Sequence, residues 1–231
     1  PKKIHFYLNK NAKKLCELDI TDFNSESCKY TTLKRSSLIN FLKKDLEGLI
    51  KTGYNISKID QRNKQIKLFF ENGQSHEYDY LIISDGVFSK SKSLISKGEV
   101  KPKYNNTLAI RGILNKSPDN IDSKNITLFL GSDFHHVIYP VSPNGDLNFI
   151  AIMKHELSSE EQKNHRLFID NLFIKKVLEK IPLTNKSFLY DLKELKIFPV
   201  FVSEDFHKLQ NKNIHLIGDA FFAFPPSFAQ G

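Results

Sequence analysis

Two stretches of the chain place an aspartate and a glycine at the end of a short apolar run. Residues 80–86 read Tyr-Leu-Ile-Ile-Ser-Asp-Gly, and residues 214–219 read Ile-His-Leu-Ile-Gly-Asp. A carboxylate at the end of a strand can accept hydrogen bonds from ribose hydroxyls, and a glycine lets the backbone approach a pyrophosphate because it has no Cβ. The candidate ligands of a nucleotide-containing coenzyme are therefore Asp85, Gly86, Gly218 and Asp219.

The apolar runs in front of these residues indicate the elements that position them. Residues 81–83 and 214–217 are short and continuously apolar apart from one histidine, which is typical of buried strands in a parallel sheet. Open α/β sheets bind ligands at the carboxyl ends of such strands. We therefore expect the two strands to be neighbours and their two aspartates to share one crevice.

The rest of the chain alternates between strand and helix patterns. Residues 3–8 and 15–20 predict a hairpin, and residues 34–50 predict an amphipathic helix capped by Thr31 or Thr32, with Arg35 in its first turn. Ser158 and Glu161 give a capping signal for a helix that carries apolar residues as far as Ile181 and ends before Pro182. The remaining predicted strands span residues 54–60, 65–70 and 75–78, and then 107–114, 126–130, 136–141 and 147–153, the last four forming a separate antiparallel sheet.

Composition excludes several broad classes. The chain has 231 residues, 40% hydrophobic residues and 26% charged residues, which is typical of a globular protein and not of a disordered one. The longest apolar run, at residues 197–202, is far shorter than the roughly 20 residues that cross a bilayer. The charge of +8 comes almost entirely from lysine, with only four arginines, so a nucleic-acid partner is not expected. Cys16 and Cys28 predict ordinary thiols in a reducing, cytoplasmic setting.

Three motifs give the chain a resemblance to the flavin-dependent aromatic hydroxylases, in particular to the salicylate-hydroxylase-like branch. Residues 85–92 resemble the family's D-G-x-x-S-x-x-R, and residues 218–231 resemble its G-D-A-A-H-x-x-x-P-x-x-G-Q-G. Residues 35–38 are similar to its R-x-x-L. The longest motif is the most specific, and the four-residue match is the weakest.

The resemblance implies a mixed α/β fold in which a partial, Rossmann-like FAD-binding domain carries an inserted antiparallel substrate sheet. It places residues 21–98 and 196–231 in the FAD domain, residues 1–20 in a hairpin of the substrate domain and residues 99–195 in that domain itself. It further implies an enzyme that reduces FAD with NADH or NADPH and uses O2 to hydroxylate a small aromatic ring. A homodimer is left open.

The same resemblance implies roles for individual residues. Asp219 would bind a ribose hydroxyl of FAD, Gly218 would let the backbone pass close to the cofactor, and Asp85 with Gly86 would lie at the pyrophosphate and on the path of the nicotinamide cofactor. Pro225 and Pro226 would form a wall beside the flavin ring. The full implied cofactor set is Arg35, Asp85, Gly86, Gly218, Asp219, Pro226, Gln230 and Gly231, and no residue is assigned as catalytic base.

The chain also departs from the family pattern. The N-terminal G-x-G-x-x-G unit and the helix expected after Gly231 are absent from the sequence, so we expect a piece of a longer protein that holds FAD poorly by itself. Lys92 replaces an arginine, which keeps the charge but weakens phosphate contact, and Ala229 replaces a glycine. Phe221 and Phe222 stand where alanine and histidine are usual, which predicts an apolar flavin pocket.

Alternatives remain open at this stage. The chain could come from another flavoprotein of the same fold, such as a polyprenoid-ring hydroxylase, a halogenase or a reductase. It could also be a non-catalytic domain that binds a hydrophobic partner through Phe221, Phe222, Phe224 and Phe228. His135 and His136 do not predict a metal site, because adjacent strand residues point to opposite faces. Tyr139 or one of these histidines is a candidate to line a substrate pocket, although core packing is the commoner role for such residues.

Overall fold

The structure is a computed structural model that describes residues 1–62, 65–96, 100–119, 121–183, 186–204 and 212–226. The chain divides into two compact units, which we call unit 1 (residues 1–44 and 106–199) and unit 2 (residues 45–105 and 200–231). Residues 21–44, which the resemblance places in the FAD domain, cluster with unit 1.

Strands and helices alternate along the chain, as expected of the predicted mixed α/β class. The strands are β1 (Lys3–Leu8), β2 (Lys14–Asp19), β3 (Ile56–Arg62), β4 (Gln65–Phe70), β5 (Ser75–Tyr78), β6 (Leu81–Ile83), β7 (Lys103–Leu114), β8 (Ile126–Leu130), β9 (Phe134–Pro140), β10 (Leu147–Lys154), β11 (Lys193–Val202) and β12 (Ile214–Leu216). The α-helices are α1 (Arg35–Lys43), α2 (Lys90–Ile95), α3 (Ser159–Lys163) and α4 (Asn171–Lys180). None of the helices in the described ranges is long and apolar enough to cross a membrane.

Unit 1 is built on one large sheet. Over the described residues its strand order is β11-β7-β10-β9-β8-β1-β2. The four strands predicted to form a separate antiparallel sheet are present, but the sheet is larger and mixed, because β1 pairs in parallel with β8 and brings the N-terminal hairpin with it. A pairing between strands so distant in the chain leaves no local signal in the sequence.

One face of this sheet forms the core of unit 1. Phe149 and Ile138 are opposite each other on β10 and β9, and both are almost fully buried. The chain that follows α4 covers them, since the ring of Phe188 lies 5.8 Å from that of Phe149. A Cβ at Gly112 would lie 2.9 Å from the Leu192 side chain, so the strand has a glycine where this segment approaches most closely.

Two predicted helices are shorter in the structure than in the sequence pattern. The helix predicted over residues 34–50 ends at Lys43. It begins without a side-chain cap because its N-cap residue is Lys34, whose side chain has no acceptor, while the Thr32 hydroxyl donates to the Pro140 carbonyl at 2.5 Å. A glycine at position 48 disfavours further helix by about 1 kcal/mol relative to alanine, and no residue of α1 is buried to offset that cost.

The helix predicted to run to Ile181 is divided into two shorter helices in the structure. The capping box of Ser158 and Glu161 is present, but the helix that it starts, α3, ends at Lys163. Asp170 then caps a new helix, α4, by accepting a hydrogen bond from the Phe173 N–H at 2.8 Å. An aspartate at this position competes for the backbone and favours a helix start over a helix interior.

Unit 2 combines a meander with a parallel strand pair. Strands β3, β4 and β5 are antiparallel neighbours, and Gly73 supplies the positive φ of 82° in the predicted Asn-Gly turn between β4 and β5. Strands β6 and β12 pair in parallel. The core between these two small sheets consists of Ile66, Leu68, Phe70, Ile83, Ile214, Leu216 and Ala220.

Candidate functional site

The parallel pair β6–β12 brings the two aspartate-glycine stretches to one edge. Leu81 is opposite Ile214 and Ile83 is opposite Leu216, and the Ile217 N–H extends the pairing by donating to the Ile83 carbonyl at 3.0 Å. Because both strands run in the same direction, the chain leaves both of them at the same edge of the sheet. The expectation that the two strands are neighbours, on which the sequence interpretation depends, is confirmed.

Both glycines at this edge have backbone conformations that favour glycine. Gly86 has a φ of 84° and Gly218 a φ of 57°, which is the left-handed region. A Cβ built at either position meets no atom within 4 Å. The glycines are therefore required by local backbone geometry, and each leaves open space beside the chain.

Asp219 presents an uncommitted carboxylate at this edge. It lies in a single 3-10 turn, residues 218–220, that is closed by the Phe221 and Phe222 N–H groups donating to the Gly218 carbonyl at 2.9 and 3.0 Å. The side chain is exposed, and within the described part of the chain it has no hydrogen bond or ion pair. An exposed carboxylate of this kind can accept hydrogen bonds from a ligand without breaking any internal contact.

Asp85 is partly committed to the fold. Its Oδ2 accepts a hydrogen bond from the Ser91 N–H at 3.1 Å, and the Ser89 hydroxyl oxygen accepts one from the Lys92 N–H at 2.9 Å, so the two side chains together cap α2. Burial tends to raise the pKa of Asp85, but the hydrogen bonds of Ser89 and Ser91 outweigh this and hold the pKa below its usual value. One carboxylate oxygen is thus used by the helix, while further lone pairs of the group are available to a ligand.

Lys92, for which the sequence predicts a weakened phosphate contact, has a partner within the fold. The residue is buried, and its Nζ donates to the Phe221 carbonyl at 3.2 Å, just after the Gly218 turn. Burial lowers the pKa of this ammonium. Lys92 therefore joins α2 to the loop that follows β12. This hydrogen bond links the motif at residues 85–92 to the motif at residues 218–231.

The proline-containing loop after β12 is held at two further points. The Ser203 N–H donates to the Ala223 carbonyl and the Ala223 N–H donates to the Ser203 hydroxyl, both at 3.0 Å. Pro226 follows this anchor and is exposed. The predicted cofactor residues Gln230 and Gly231 lie outside the described residues.

Arg35 belongs to unit 1, whereas β6 and β12 belong to unit 2. It is the first residue of α1 and is exposed. Its predicted part in cofactor binding is not tested by this placement.

The aromatic cluster near the Gly218 turn is only partly covered. Phe221 and Phe224 are exposed, and the rings of Phe222 and Phe224 lie 4.8 Å apart. Phe228, the fourth predicted member, is outside the described residues. No group of histidine, cysteine, aspartate or glutamate side chains that could hold a metal ion occurs in the described ranges.

The histidine pair of β9 is divided between the two faces of the sheet in unit 1. His136 is buried in the core, where its ring is stacked on Phe129 at 4.5 Å, and burial lowers its pKa to about 3. His135 points to the opposite face and is half-buried. Tyr139 lies on that same opposite face, since it is four residues further along the strand.

Two residues on this opposite face were not singled out by the sequence. Asn148 of β10 is opposite Tyr139, and Arg111 of β7 is opposite Ile150, the next residue of β10 on the same face. The signal that places Arg111 and Asn148 near Tyr139 is cross-strand register, which depends on the strand pairing and is not visible in the order of residues.

Comparisons with known proteins agree with the motifs. No family model matches the chain. It is 24% identical to a salicylate hydroxylase of Pseudomonas putida over 231 aligned residues, covering 87% of this chain and 51% of the relative. It is 26% identical to a chloroplastic zeaxanthin epoxidase of an Oncidium hybrid over 177 residues, covering 75% of this chain and 25% of the relative.

Solved structures show the fold. The crystal structure of HpxO from Klebsiella pneumoniae, complexed with FAD and uric acid, covers 100% of this chain and 59% of its own, with a TM-score of 0.79 at 16% identity. The chain therefore has the fold of the flavin-dependent aromatic hydroxylases and is similar to them in sequence. It spans a quarter to about half of the length of the two relatives named above.

Proposed function

We propose that this chain is part of an FAD-dependent monooxygenase that hydroxylates a small aromatic substrate with NADH or NADPH and O2. The observation that carries the proposal is the β6–β12 edge, where Asp219 has a free carboxylate beside Gly218, with Asp85 and Gly86 at the end of the neighbouring strand. An edge of this kind is suited to the ribose and pyrophosphate of a dinucleotide cofactor. HpxO, which shares the fold, is complexed with FAD.

The residues present fit part of an FAD site. Asp219 would accept hydrogen bonds from a ribose hydroxyl, and the bare backbone at Gly218 and Gly86 would admit the pyrophosphate. Pro226, Gln230 and Gly231 would follow along the flavin ring, and Arg35 is the remaining cofactor residue that the resemblance implies. When bound, FAD would supply the redox chemistry, while the protein would hold the substrate, orient it and exclude water.

The phenylalanines of the motif at residues 218–231 support the proposal that the cofactor binds against an apolar surface. Phe221 is 42% exposed and Phe224 is 53% exposed. A flavin ring is a large flat apolar group with a polar edge, and it would remove such side chains from water on binding.

A direct assay tests this function. Full-length protein reconstituted with FAD is mixed with NADH or NADPH under air, and cofactor oxidation, O2 uptake and product mass are measured over panels of benzoates, phenols and pyridines. The proposal expects a product one oxygen atom heavier than the substrate from at least one ring class. Flavin binding without oxygenated product from any panel would favour a reductase, and absence of flavin binding would favour the non-catalytic partner-binding domain.

A further inference from the structure

The chain contains two Asn-Gly pairs, Asn72-Gly73 and Asn144-Gly145. Both lie in turns between antiparallel neighbours, the first between β4 and β5 and the second between β9 and β10. All four residues are exposed, and the two glycines have positive φ angles of 82° and 90°. A Cβ at either glycine would meet no atom within 4 Å, so water has access to both pairs.

An asparagine followed by a glycine carries the groups for a reaction within the backbone. The backbone nitrogen of the glycine attacks the Cγ of the asparagine, and a cyclic succinimide forms while the side-chain NH2 leaves as ammonia with the proton of that nitrogen. Water then opens the ring at one of its two carbonyls, which gives aspartate or isoaspartate and returns a proton to the nitrogen. Glycine favours ring closure because it has no Cβ and the most mobile backbone. Water is the only reagent that the reaction needs.

The Asn72-Gly73 pair is held by hydrogen bonds in the folded turn. The Asn72 Oδ1 accepts a hydrogen bond from the Gln74 N–H at 3.0 Å, and the Asn72 Nδ2 donates to the Gly53 carbonyl at 3.4 Å. The attacking nitrogen is also engaged, because the Gly73 N–H donates to the Phe70 carbonyl at 3.0 Å. Both groups that must approach each other are therefore restrained.

The Asn144-Gly145 pair has fewer restraints. Over the described ranges the Asn144 side chain forms no hydrogen bond. The Gly145 N–H donates to the Ser142 carbonyl at 3.4 Å, which is longer than the usual N–H···O distance. The turn is closed at its ends, where the Val141 N–H donates to the Asp146 carbonyl at 2.9 Å, and this contact leaves the Asn144 side chain free to rotate toward the nitrogen of Gly145.

We propose that Asn144 is a site of spontaneous deamidation in the folded protein, and that hydrogen bonds protect Asn72 from the same reaction. Breaking one hydrogen bond before ring closure slows the reaction by about fivefold. Asn144 is therefore expected to react at least about fivefold faster than Asn72. The inference goes beyond the proposed function and does not depend on it, since it involves neither cofactor nor substrate.

The products would alter the turn between β9 and β10. Isoaspartate adds a carbon to the backbone of the loop that the Val141–Asp146 hydrogen bond closes, and aspartate adds a carboxylate two residues from Asp146. The Asp146 Oδ2 lies 3.1 Å from the Nζ of Lys34, the residue that precedes α1. Formation of isoaspartate is therefore expected to speed hydrogen exchange at the Val141 amide.

The test follows both pairs in one sample. The full chain is incubated at mildly alkaline pH, with and without urea, and peptide mapping by mass spectrometry measures replacement of the side-chain NH2 by OH, with isoaspartate separated from aspartate by chromatography. The folded protein is expected to react at Asn144 at least about fivefold faster than at Asn72, and the two rates are expected to become similar in urea, where the turn hydrogen bonds are absent. Hydrogen exchange at the Val141 amide is measured before and after incubation.

Two variants serve as a matched pair. N144S is expected to abolish the fast reaction, whereas N72S is expected to leave it unchanged. Equal rates in the folded protein, a faster reaction at Asn72, or an Asn144 that stays intact in the folded protein while it reacts in urea would overturn the inference.

Discussion

At the scale of single residues, the two aspartates of the β6–β12 edge differ in the hydrogen bonds that they form within the protein. Asp85 contributes to capping α2, while Asp219 has no internal partner in the described chain. In the sequence, both residues follow a short apolar run and lie next to a glycine. Only the structure shows that Asp85 has a partner within the chain. The same substitution is therefore expected to lower stability at Asp85 and to leave it unchanged at Asp219.

Replacing Asp219 with asparagine is expected to leave stability unchanged and to weaken FAD binding. An exposed carboxylate without partners contributes within about 0.5 kcal/mol to folding. Asparagine keeps an acceptor oxygen but loses the charge, which weakens a ligand's hydrogen bond by about 1–1.5 kcal/mol, or roughly tenfold in affinity. Flavin fluorescence titration of D219N and denaturant unfolding measure the two quantities. D22N, a change at another exposed aspartate, is the matched control, and equal FAD affinity of D219N and wild type would contradict the assignment.

Replacing Asp85 with asparagine is expected to lower stability in a pH-dependent way. The pKa of Asp85 is lowered in the folded state, so its stabilisation is fully present above the pKa of an unfolded aspartate, about 4, and is lost as the pH falls through the folded value. For an exposed capping carboxylate the loss at pH 7 is about 0.5–1 kcal/mol. Thermal unfolding of wild type and D85N between pH 7 and pH 3 tests this, and a stability difference that stays constant with pH would contradict it.

At the scale of elements, the site depends on how α2 and the loop after β12 are tied together. Lys92 makes this connection through the Phe221 carbonyl, and Ser203 holds the next part of the loop. The result is a turn at Gly218 that is fixed from both sides. The position and conformation of Asp219 follow from these contacts.

The variant K92M is expected to destabilise unit 2 and to loosen the Gly218 turn. Methionine fills a similar volume but cannot donate to the Phe221 carbonyl, and loss of a hydrogen bond from a charged donor costs about 1.5–3 kcal/mol. Urea unfolding gives the stability change, and hydrogen exchange at the Phe221 and Phe222 amides reports the turn. K90M, a change at an exposed lysine of the same helix, serves as control, and unchanged exchange rates in K92M would refute the role assigned to Lys92.

The sequence predicted the elements that depend on local patterns and missed those that depend on pairing. The apolar runs that became β6 and β12, the Asn-Gly turn and the capping box of Ser158 were all recognised, because their signals lie within a few residues. The parallel pairing of β1 with β8 and the placement of Arg111 beside Asn148 were not, because both depend on strand register. The early end of α1 was missed because an apolar face predicts a helix even where nothing packs against it.

At the scale of the whole molecule, two compact units carry different parts of the proposed reaction. Unit 2 holds the residues proposed for the cofactor apart from Arg35, and unit 1 holds Arg35 and most of the proposed substrate domain. Each unit has its own buried core, one around Phe149 and the other around Ile66. Changes in one core are therefore expected to act first on the stability of that unit.

Truncation of Phe149 to alanine tests this division. Removing a fully buried phenylalanine costs about 3–5 kcal/mol, and the cavity would lie in the sheet of unit 1. As denaturant is added, the buried amides of unit 1 are expected to lose their protection from hydrogen exchange before those of unit 2 in F149A, while I66A is expected to show the reverse order. Simultaneous loss of protection in both units of both variants would show that the units do not unfold separately.

The central claim is that the β6–β12 edge, with Asp219 at its end, is part of an FAD site. The most direct measurement is the visible absorbance of full-length protein, purified and then dialysed against FAD. The account predicts stoichiometric bound flavin in the wild-type protein and a markedly reduced amount in D219N. A colourless wild-type protein that cannot be reconstituted with FAD would contradict it.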